Sequence, residues 1–132
     1  MSTQTNDRKL AILGYHKIGE PRPDGWETWY YVRENAFVDH LSYLKENGWQ
    51  VIDSAVFLEG LETPDPLPER AVLLTFDDGY RSMREVALPL LLQFGYPGVL
   101  FVPTDFIGGR NLFNADDEPE EAICDWDDLR RL

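Results

Sequence analysis

The sequence predicts an α/β fold in which parallel strands alternate with helices. Apolar runs of strand length alternate with segments whose apolar residues recur at helical spacing, giving strand, helix, strand, helical turns, strand, helix, strand, helix. Two of the runs, residues 71–76 and 98–103, are continuously apolar, as is typical of strands covered on both faces of a parallel sheet. This alternation favours a mostly parallel sheet in one domain of 132 residues.

The first half of the chain contains two predicted strands around one helix. Residues 9–15 are an apolar run, followed by a Pro- and Gly-rich loop and by an aromatic segment, 26–32, which predicts a short extended stretch. Asn35 is the predicted N-cap of a helix with three apolar residues at helical spacing, and Gly48 stands where a glycine stop belongs. Residues 49–53 form a short segment whose composition favours a β-strand, so we expect a second strand there.

The middle of the chain predicts helical turns, a buried strand and a longer helix. Residues 54–61 are expected to form one or two helical turns before a proline-rich connector. After the strand at 71–76, Ser82 and Glu85 match the capping-box pattern at a helix start. Pro89 lies inside that helix and is expected to kink it.

The last third predicts one more strand and a short final helix. The strand at 98–103 is followed by an acidic segment, 114–128, which we interpret as a solvated loop rather than a calcium site because it lacks a central glycine. Asp125 is the predicted cap of the final helix. No strand is predicted after that helix, so the last strand–helix–strand unit is incomplete.

The composition suits one globular domain and disfavours several classes of partner. With 43% hydrophobic residues the chain is well away from disordered compositions, and no apolar run approaches the roughly 20 residues of a membrane span. A net charge of −12 argues against binding nucleic acid. The polar N-terminus shows no signal peptide, so we expect a soluble protein, cytoplasmic by default. Cys124 is the only cysteine, which excludes an intrachain disulfide and a thiolate metal cluster.

Two adjacent carboxylates directly follow the strand at 71–76. Sites in α/β folds gather at the carboxyl ends of strands, and Gly79 frees the backbone so that Asp77 and Asp78 can approach one site. Two such carboxylates repel each other and need a cation, a shared proton or separate partners. A metal bound by one carboxylate, with the other as base, would resolve this conflict. The alternative is that either aspartate simply caps the following turn.

This motif resembles a known family. The stretch "LLTFDDGY", residues 73–80, is similar to the first motif of the polysaccharide deacetylases, also called the NodB-homology or carbohydrate esterase family 4 group. The resemblance covers essentially the whole chain from residue 10 onward. Other segments that carry it are "LGYHKIG", "FVDHLSYLKENGWQVI", "ALPLLLQFGYPGVLFVPTDFIGG" and "DWDDLRRL".

The resemblance implies a distorted (β/α) barrel, of which this chain would hold roughly the first four strands. The implied activity is metal-dependent removal of N- or O-acetyl groups from carbohydrate polymers. Asp77 would be the general base and Asp78 a ligand of a divalent metal, with zinc expected. The other two ligands would be histidines of a later His-Ser/Thr-x-x-His-Pro motif, which is absent, since the only histidines are His16 and His40. Residues 1–132 are therefore expected to be the N-terminal portion of one such domain, truncated before the second motif, and inactive alone.

Five further features bear on the site, and two of them, His16 and a cluster of aromatic side chains, have two interpretations each. His16 ends the first predicted strand at the same edge as Asp77, so it is a candidate for binding substrate, and the alternative is a hydrogen bond to a loop carbonyl. His40 is expected at the surface, and Asp105 is expected to cap a turn. Cys124 is not expected to be a nucleophile. Aromatic side chains after the first strand would stack on sugar rings or, as we favour, pack against the fold; they are Trp26, Trp29, Tyr30 and Tyr31.

Two functions from different classes follow. The first is a polysaccharide deacetylase-like hydrolase acting on an acetylated polysaccharide or oligosaccharide; relatives often work outside the cytoplasm. The second is a catalytically incomplete carbohydrate-binding or interaction module on the same scaffold. A phosphoryl-transfer enzyme is disfavoured because the chain has no phosphate-binding glycine-rich loop. Four strands of an unclosed barrel would expose an edge and an apolar face, so we expect self-association.

Overall fold

The computed structural model describes residues 8–132, and the N-terminal segment 1–7, on which the signal-peptide expectation rests, lies outside the described residues. The strands are β1 (Lys9–Tyr15), β2 (Lys17–Ile18), β3 (Tyr31–Val32), β4 (Gln50–Val51), β5 (Arg70–Asp77) and β6 (Val99–Phe101). The helices are α1 (Glu34–Glu46), α2 (Ser54–Glu62), α3 (Leu88–Phe94) and α4 (Trp126–Arg130), with a π-helical turn at Met83–Ala87 and 3₁₀ turns at Thr104–Phe106 and Leu112–Asn114.

Strand β5 lies at the centre of a four-stranded sheet in which every pairing is parallel. Strand β1 pairs along β5 from Lys9 opposite Arg70 to Tyr15 opposite Phe76. On β5, β4 pairs near the start and β6 near the end. The strands β2 and β3 form a separate small parallel ladder. The predicted α/β class and parallel sheet are confirmed, whereas within residues 8–132 the sheet is open, and barrel closure stays an expectation.

The core lies where β5 packs against α1 and against the helical segment that follows β5. All six residues of the run 71–76 are buried, as the continuous apolar pattern predicts. Tyr15 stacks on Phe76 at 5.5 Å and meets the ring of Phe37 edge-on at 5.1 Å. The predicted apolar face of the first helix is confirmed. The other buried members of the cluster are Ile18, Leu41, Leu44, Val72, Leu74, Met83, Ala87 and Leu91.

Two predicted helix caps are wrong. Helix α1 begins after Arg33, which makes no side-chain cap, and the Asn35 side chain instead accepts from the neighbouring Ala36 N–H at 2.9 Å. Ser82 already has helical backbone angles, so its hydroxyl is not placed to cap. That hydroxyl accepts from the backbone N–H of Ile18 at 3.1 Å, a tertiary contact that ties the segment to β2.

The helix predicted after the DDGY turn divides into two parts. The π-helical turn runs directly into α3, so Pro89, the second residue of α3, lies inside one continuous helical segment, as expected. The hydrogen-bonding pattern changes from π to α immediately before the proline, which has no N–H to donate. The predicted stop at Gly95 is confirmed by its left-handed φ of 72°. The expectation of a buried final strand is wrong for Phe101, which is 57% exposed because β6 pairs only with β5 among the described residues.

Helix α4 begins as predicted. The Asp125 side chain accepts from the Asp128 N–H at 2.7 Å, and the Asp128 carboxylate accepts from the Asp125 N–H at 3.0 Å, which completes a reciprocal capping box. Across residues 8–132 no helix is both long and apolar enough to cross a membrane.

Candidate active site

The two adjacent aspartates lie at the carboxyl end of the central strand. Asp77 is the last residue of β5, and its side chain is 41% exposed. Asp78 has a φ of 76° and Gly79 a φ of 67°, so two successive left-handed residues turn the chain sharply. A left-handed conformation is uncommon outside glycine and is best tolerated by Asp and Asn. The turn keeps both carboxyl groups at one edge of the sheet, where β1 and β6 also end.

The acidic segment folds back and holds this turn. The N–H of Cys124 donates to the Gly79 carbonyl at 2.8 Å, and the N–H of Arg81 donates to the Ala122 carbonyl at 2.9 Å. Tyr80 and Ile123 form an antiparallel bridge between these two bonds. The expectation of a wholly solvated loop is therefore wrong, because part of the segment is packed against the turn that carries the aspartates.

His16 lies beside Asp77. Its Nε2 is 3.9 Å from the Asp77 Oδ2, an ion-pair distance rather than a hydrogen bond, and its side chain is 18% exposed. The imidazole stacks on Tyr30 with ring centroids 4.1 Å apart. The three predicted site residues, His16, Asp77 and Asp78, are thus near one another, while their chemical roles stay predictions.

The charges around the turn act on one another. Partial burial raises the pKa of the Asp78 carboxyl above its ordinary value. The charges of His16 and, to a smaller extent, Lys17 lower this pKa, whereas the charge of Asp77 raises it further. Burial also raises the pKa of Tyr30, and the nearby carboxylates of Asp78, Glu118, Asp117 and Asp77 raise it further. The mouth of the site is therefore negative, which favours a cation there.

A buried ion pair beneath the site is a feature that sequence reasoning missed. The Lys17 Nζ lies 2.6 Å from Glu118 Oε1, and both side chains are almost fully buried. Thr28 Oγ1 donates to the same carboxylate oxygen at 2.8 Å. The ammonium also lies 4.4 Å from the Tyr31 ring centroid and 5.0 Å from that of Tyr80. The pair joins β2 to the acidic segment, and its two residues are 101 positions apart in the sequence, so no local sequence pattern predicts it.

The remaining candidates lie apart from the aspartates or are inert. Burial raises the pKa of Cys124 to about 11, so its thiol is protonated at neutral pH and is a poor nucleophile. His40 is exposed, as expected, with its Nδ1 3.0 Å from the Tyr15 hydroxyl. The expected cap at Asp105 is wrong, because this residue is exposed inside a 3₁₀ turn whose cap position is Pro103 and which has no side-chain cap.

The aromatic cluster predicted after the first strand separates into two groups. Trp29 and Tyr30 contact His16, whereas Trp26 lines a different pocket. The Tyr31 hydroxyl donates to Glu121 Oε1 at 3.0 Å. Trp29 and Tyr30 therefore border the site, Tyr31 is bonded to the acidic segment, and Trp26 is 51% exposed at another pocket.

The donor set at the end of β5 suits a metal ion only in part. Carboxylate oxygens and an imidazole nitrogen are suitable ligands for zinc. However, no group of three or more His, Cys, Asp or Glu side chains within residues 8–132 is arranged to hold an ion. A catalytic zinc site normally has three protein ligands. An ion held by Asp78 therefore needs ligands beyond those that the described residues arrange.

Fold and site define an α/β protein with a carboxylate-bearing site at the carboxyl edge of a parallel sheet. No protein-family model matches the chain. It is 36% identical, over 90 residues, to the poly-beta-1,6-N-acetyl-D-glucosamine N-deacetylase of Escherichia coli K12, covering 68% of this chain and 13% of that protein. It is 30% identical, over 118 residues, to the Bacillus subtilis protein named "Putative polysaccharide deacetylase YxkH", covering 86% of this chain and 39% of that protein.

Solved structures agree in fold. IcaB from Ammonifex degensii superposes with a TM-score of 0.78 at 24% identity, over 92% of this chain and 47% of that one. A de-N-acetylase from Aggregatibacter actinomycetemcomitans superposes with a TM-score of 0.72 at 23% identity, over 92% and 49%. The two sequence relatives show that the chain belongs to the polysaccharide deacetylases, and the solved structures agree with it in fold. The chain spans less than half the length of each of these four relatives.

Proposed function

We propose that this chain carries part of the active site of a metal-dependent hydrolase that removes N- or O-acetyl groups from an acetylated polysaccharide or oligosaccharide. The observation that carries the proposal is the left-handed turn at Asp78 and Gly79, which keeps two carboxyl groups at the carboxyl end of β5 beside His16. Homology to deacetylases supports the choice of reaction. On this proposal residues 1–132 form the N-terminal portion of one deacetylase domain with a distorted (β/α) barrel.

Asp77 is the proposed general base. Its side chain is accessible, and a carboxylate at this edge is suited to accept the proton of a water molecule that attacks the acetyl carbonyl. His16, 3.9 Å away, is proposed to contact the substrate and to keep the Asp77 carboxylate oriented by its ring. The stacking of His16 on Tyr30 limits the movement of that ring.

Asp78 is the proposed metal ligand, and zinc is the expected ion. A divalent ion at this position would act as a Lewis acid on the acetyl carbonyl and would favour ionisation of water. The raised pKa of Asp78 supports this role, because a half-buried carboxylate beside a second carboxylate is stabilised by a cation. The two further ligands expected from the family resemblance would be histidines outside the residues described.

The test measures acetate release from an acetylated β-1,6-linked glucosamine oligomer. The protein is the full reading frame that contains residues 1–132, assayed with added Zn²⁺ and after chelation. We expect Asp77→Asn to lower kcat by about 10²–10⁴-fold, the contribution of a general base. Asp105→Asn is the matched control, because this exposed acid lies after the neighbouring strand and should leave the rate unchanged.

Three outcomes decide the proposal. An unchanged rate in Asp77→Asn shows that the base is another group. An unchanged rate after complete chelation shows that the reaction does not depend on a metal ion. Residues 1–132 alone are expected to release no acetate. If the full reading frame also releases none from acetylated oligomers that it binds, the carbohydrate-binding or interaction module becomes the better account.

A further inference from the structure

Trp29 is the most exposed large hydrophobic side chain among the described residues, yet its ring is in contact with its neighbours. It is 78% exposed. The indole meets the Tyr30 ring edge-on at 4.4 Å and the His16 ring at 5.4 Å. Single exposed hydrophobic residues are common on protein surfaces and need no explanation. An exposed indole held by two rings, one of which neighbours a candidate catalytic carboxylate, is a more specific feature.

The turn that carries Trp29 is fixed at both ends. The Tyr30 N–H donates to Thr28 Oγ1 at 3.2 Å, and that hydroxyl donates to the buried Glu118 carboxylate. The Tyr30 carbonyl accepts from the Lys17 N–H at 3.1 Å. A ligand that stacks on this turn therefore meets a preorganised surface, which lowers the entropic cost of binding.

The turn borders a pocket with one aromatic wall and one polar wall. Its volume is about 400 Å³, within the usual range for small-molecule sites. The lining residues are Thr28, Trp29, Tyr30, Asn114, Asp117 and Glu118. A pyranose ring has a face of C–H groups and a rim of hydroxyl groups, so it matches an aromatic wall opposite carboxylate and amide groups. The exposed Asp117 carboxylate disfavours an acidic sugar through like-charge repulsion, whereas the charge of Glu118 is compensated by Lys17.

We propose that Trp29, Tyr30 and this pocket form a subsite for one uncharged or amino-bearing pyranose ring of the substrate, next to the ring whose acetyl group reaches Asp77. His16 connects the two places, because it stacks on Tyr30 and lies 3.9 Å from Asp77. This inference rests on the proposed function and adds to it the chemical class of the neighbouring ring. For Trp29 it also replaces the interpretation that the sequence favours, packing against the fold, with stacking on a sugar ring.

The test measures binding rather than catalysis. The 132-residue chain is titrated calorimetrically with a β-1,6-linked N-acetylglucosamine tetramer. We expect Trp29→Ala to weaken binding about tenfold, in line with the loss of one aromatic stacking partner. Trp29→Phe retains a ring and should lose less. Trp126→Ala is the matched control, because this indole is 61% exposed and does not line the pocket. A galacturonate tetramer should bind at least about tenfold more weakly than the neutral tetramer.

The outcomes separate this inference from the proposed function. Equal affinity in Trp29→Ala and the unmodified chain overturns the subsite, as does equal affinity for the galacturonate tetramer or no binding of the neutral one at millimolar concentration. If the 132-residue chain binds the tetramer in a Trp29-dependent way but the full reading frame releases no acetate, the subsite is supported and the hydrolase assignment is overturned. Circular dichroism of both Trp29 variants checks that a weaker affinity does not reflect unfolding.

Discussion

Gly79 is constrained in two ways, by its backbone conformation and by the lack of room for a side chain. Its φ is +67°, and a Cβ at this position would lie 3.0 Å from Val102 Cγ1, so a side chain there is opposed both by strain and by a neighbour. Gly48 has a similar φ of +74°, but a Cβ added to it would meet nothing within 4 Å. The two glycines therefore form a matched pair in which only the neighbour differs.

We expect Gly79→Ala to destabilise the fold more than Gly48→Ala. Left-handed strain alone costs about 1–2 kcal/mol, so Gly48→Ala should lower the free energy of unfolding by that amount. Gly79→Ala should lower it further, because Val102 or the turn has to move. Urea unfolding monitored by circular dichroism measures both. Equal losses would mean that the contact with Val102 relaxes freely and does not help to fix the Asp77–Asp78 turn.

Individual site residues were predictable where topology alone decides their position. Asp77 ends β5, Asp78 follows it, and His16 follows β1. Because these parallel neighbours end at the same edge, the proximity of the three residues follows from strand order. The contacts of Asn35 and Ser82 were not predictable from the capping pattern, because Asn35 accepts from the neighbouring Ala36 N–H and Ser82 accepts from a backbone group distant in sequence. For Ser82 the tertiary partner on β2 prevails.

At the scale of elements, the ion pair between Lys17 and Glu118 fastens β2 to the acidic segment. Both side chains are almost fully buried, so each charge depends on the other for compensation. The sequence does not predict this contact, because its partners are 101 residues apart. The segment also contains many acidic residues, and the sequence does not distinguish the one carboxylate that is buried. The segment that holds the aspartate turn is thus itself held by a contact that only the tertiary structure shows.

Removing the lysine should leave a buried, uncompensated carboxylate. We expect Lys17→Met to lower the free energy of unfolding by about 3–5 kcal/mol, and Lys17→Met/Glu118→Gln to recover part of that loss. Arg130→Met is the control, since its ion pair with Asp127 is exposed and should be worth less than about 1 kcal/mol. Chemical denaturation of the four proteins measures the differences. A Lys17→Met loss no larger than that of Arg130→Met would contradict the assignment of a structural role.

At the scale of the whole molecule, the parallel α/β architecture was predictable from the alternation of runs, while the shape of the sheet was not. Within residues 8–132, β1 pairs along one edge only, with β5. Beside β1 lies a mostly apolar groove of about 760 Å³, bordered by α1 through Tyr43 and Leu44. Local patterns identify strands but do not specify what covers a free edge, so closure of the sheet cannot be read from them.

The isolated 132-residue chain should self-associate through this edge. Leu10 and Ile12 of β1 are 40% and 57% exposed, and an unpaired edge with apolar side chains is a template for a second copy. We expect concentration-dependent oligomers in sedimentation velocity and enhanced ANS fluorescence. Ile12→Lys should shift the distribution towards monomer, because a charge on an edge strand disfavours pairing. Leu92→Lys, at a 71% exposed position on α3, should not. A monodisperse monomer without ANS binding would show that the groove and edge are already satisfied within the chain.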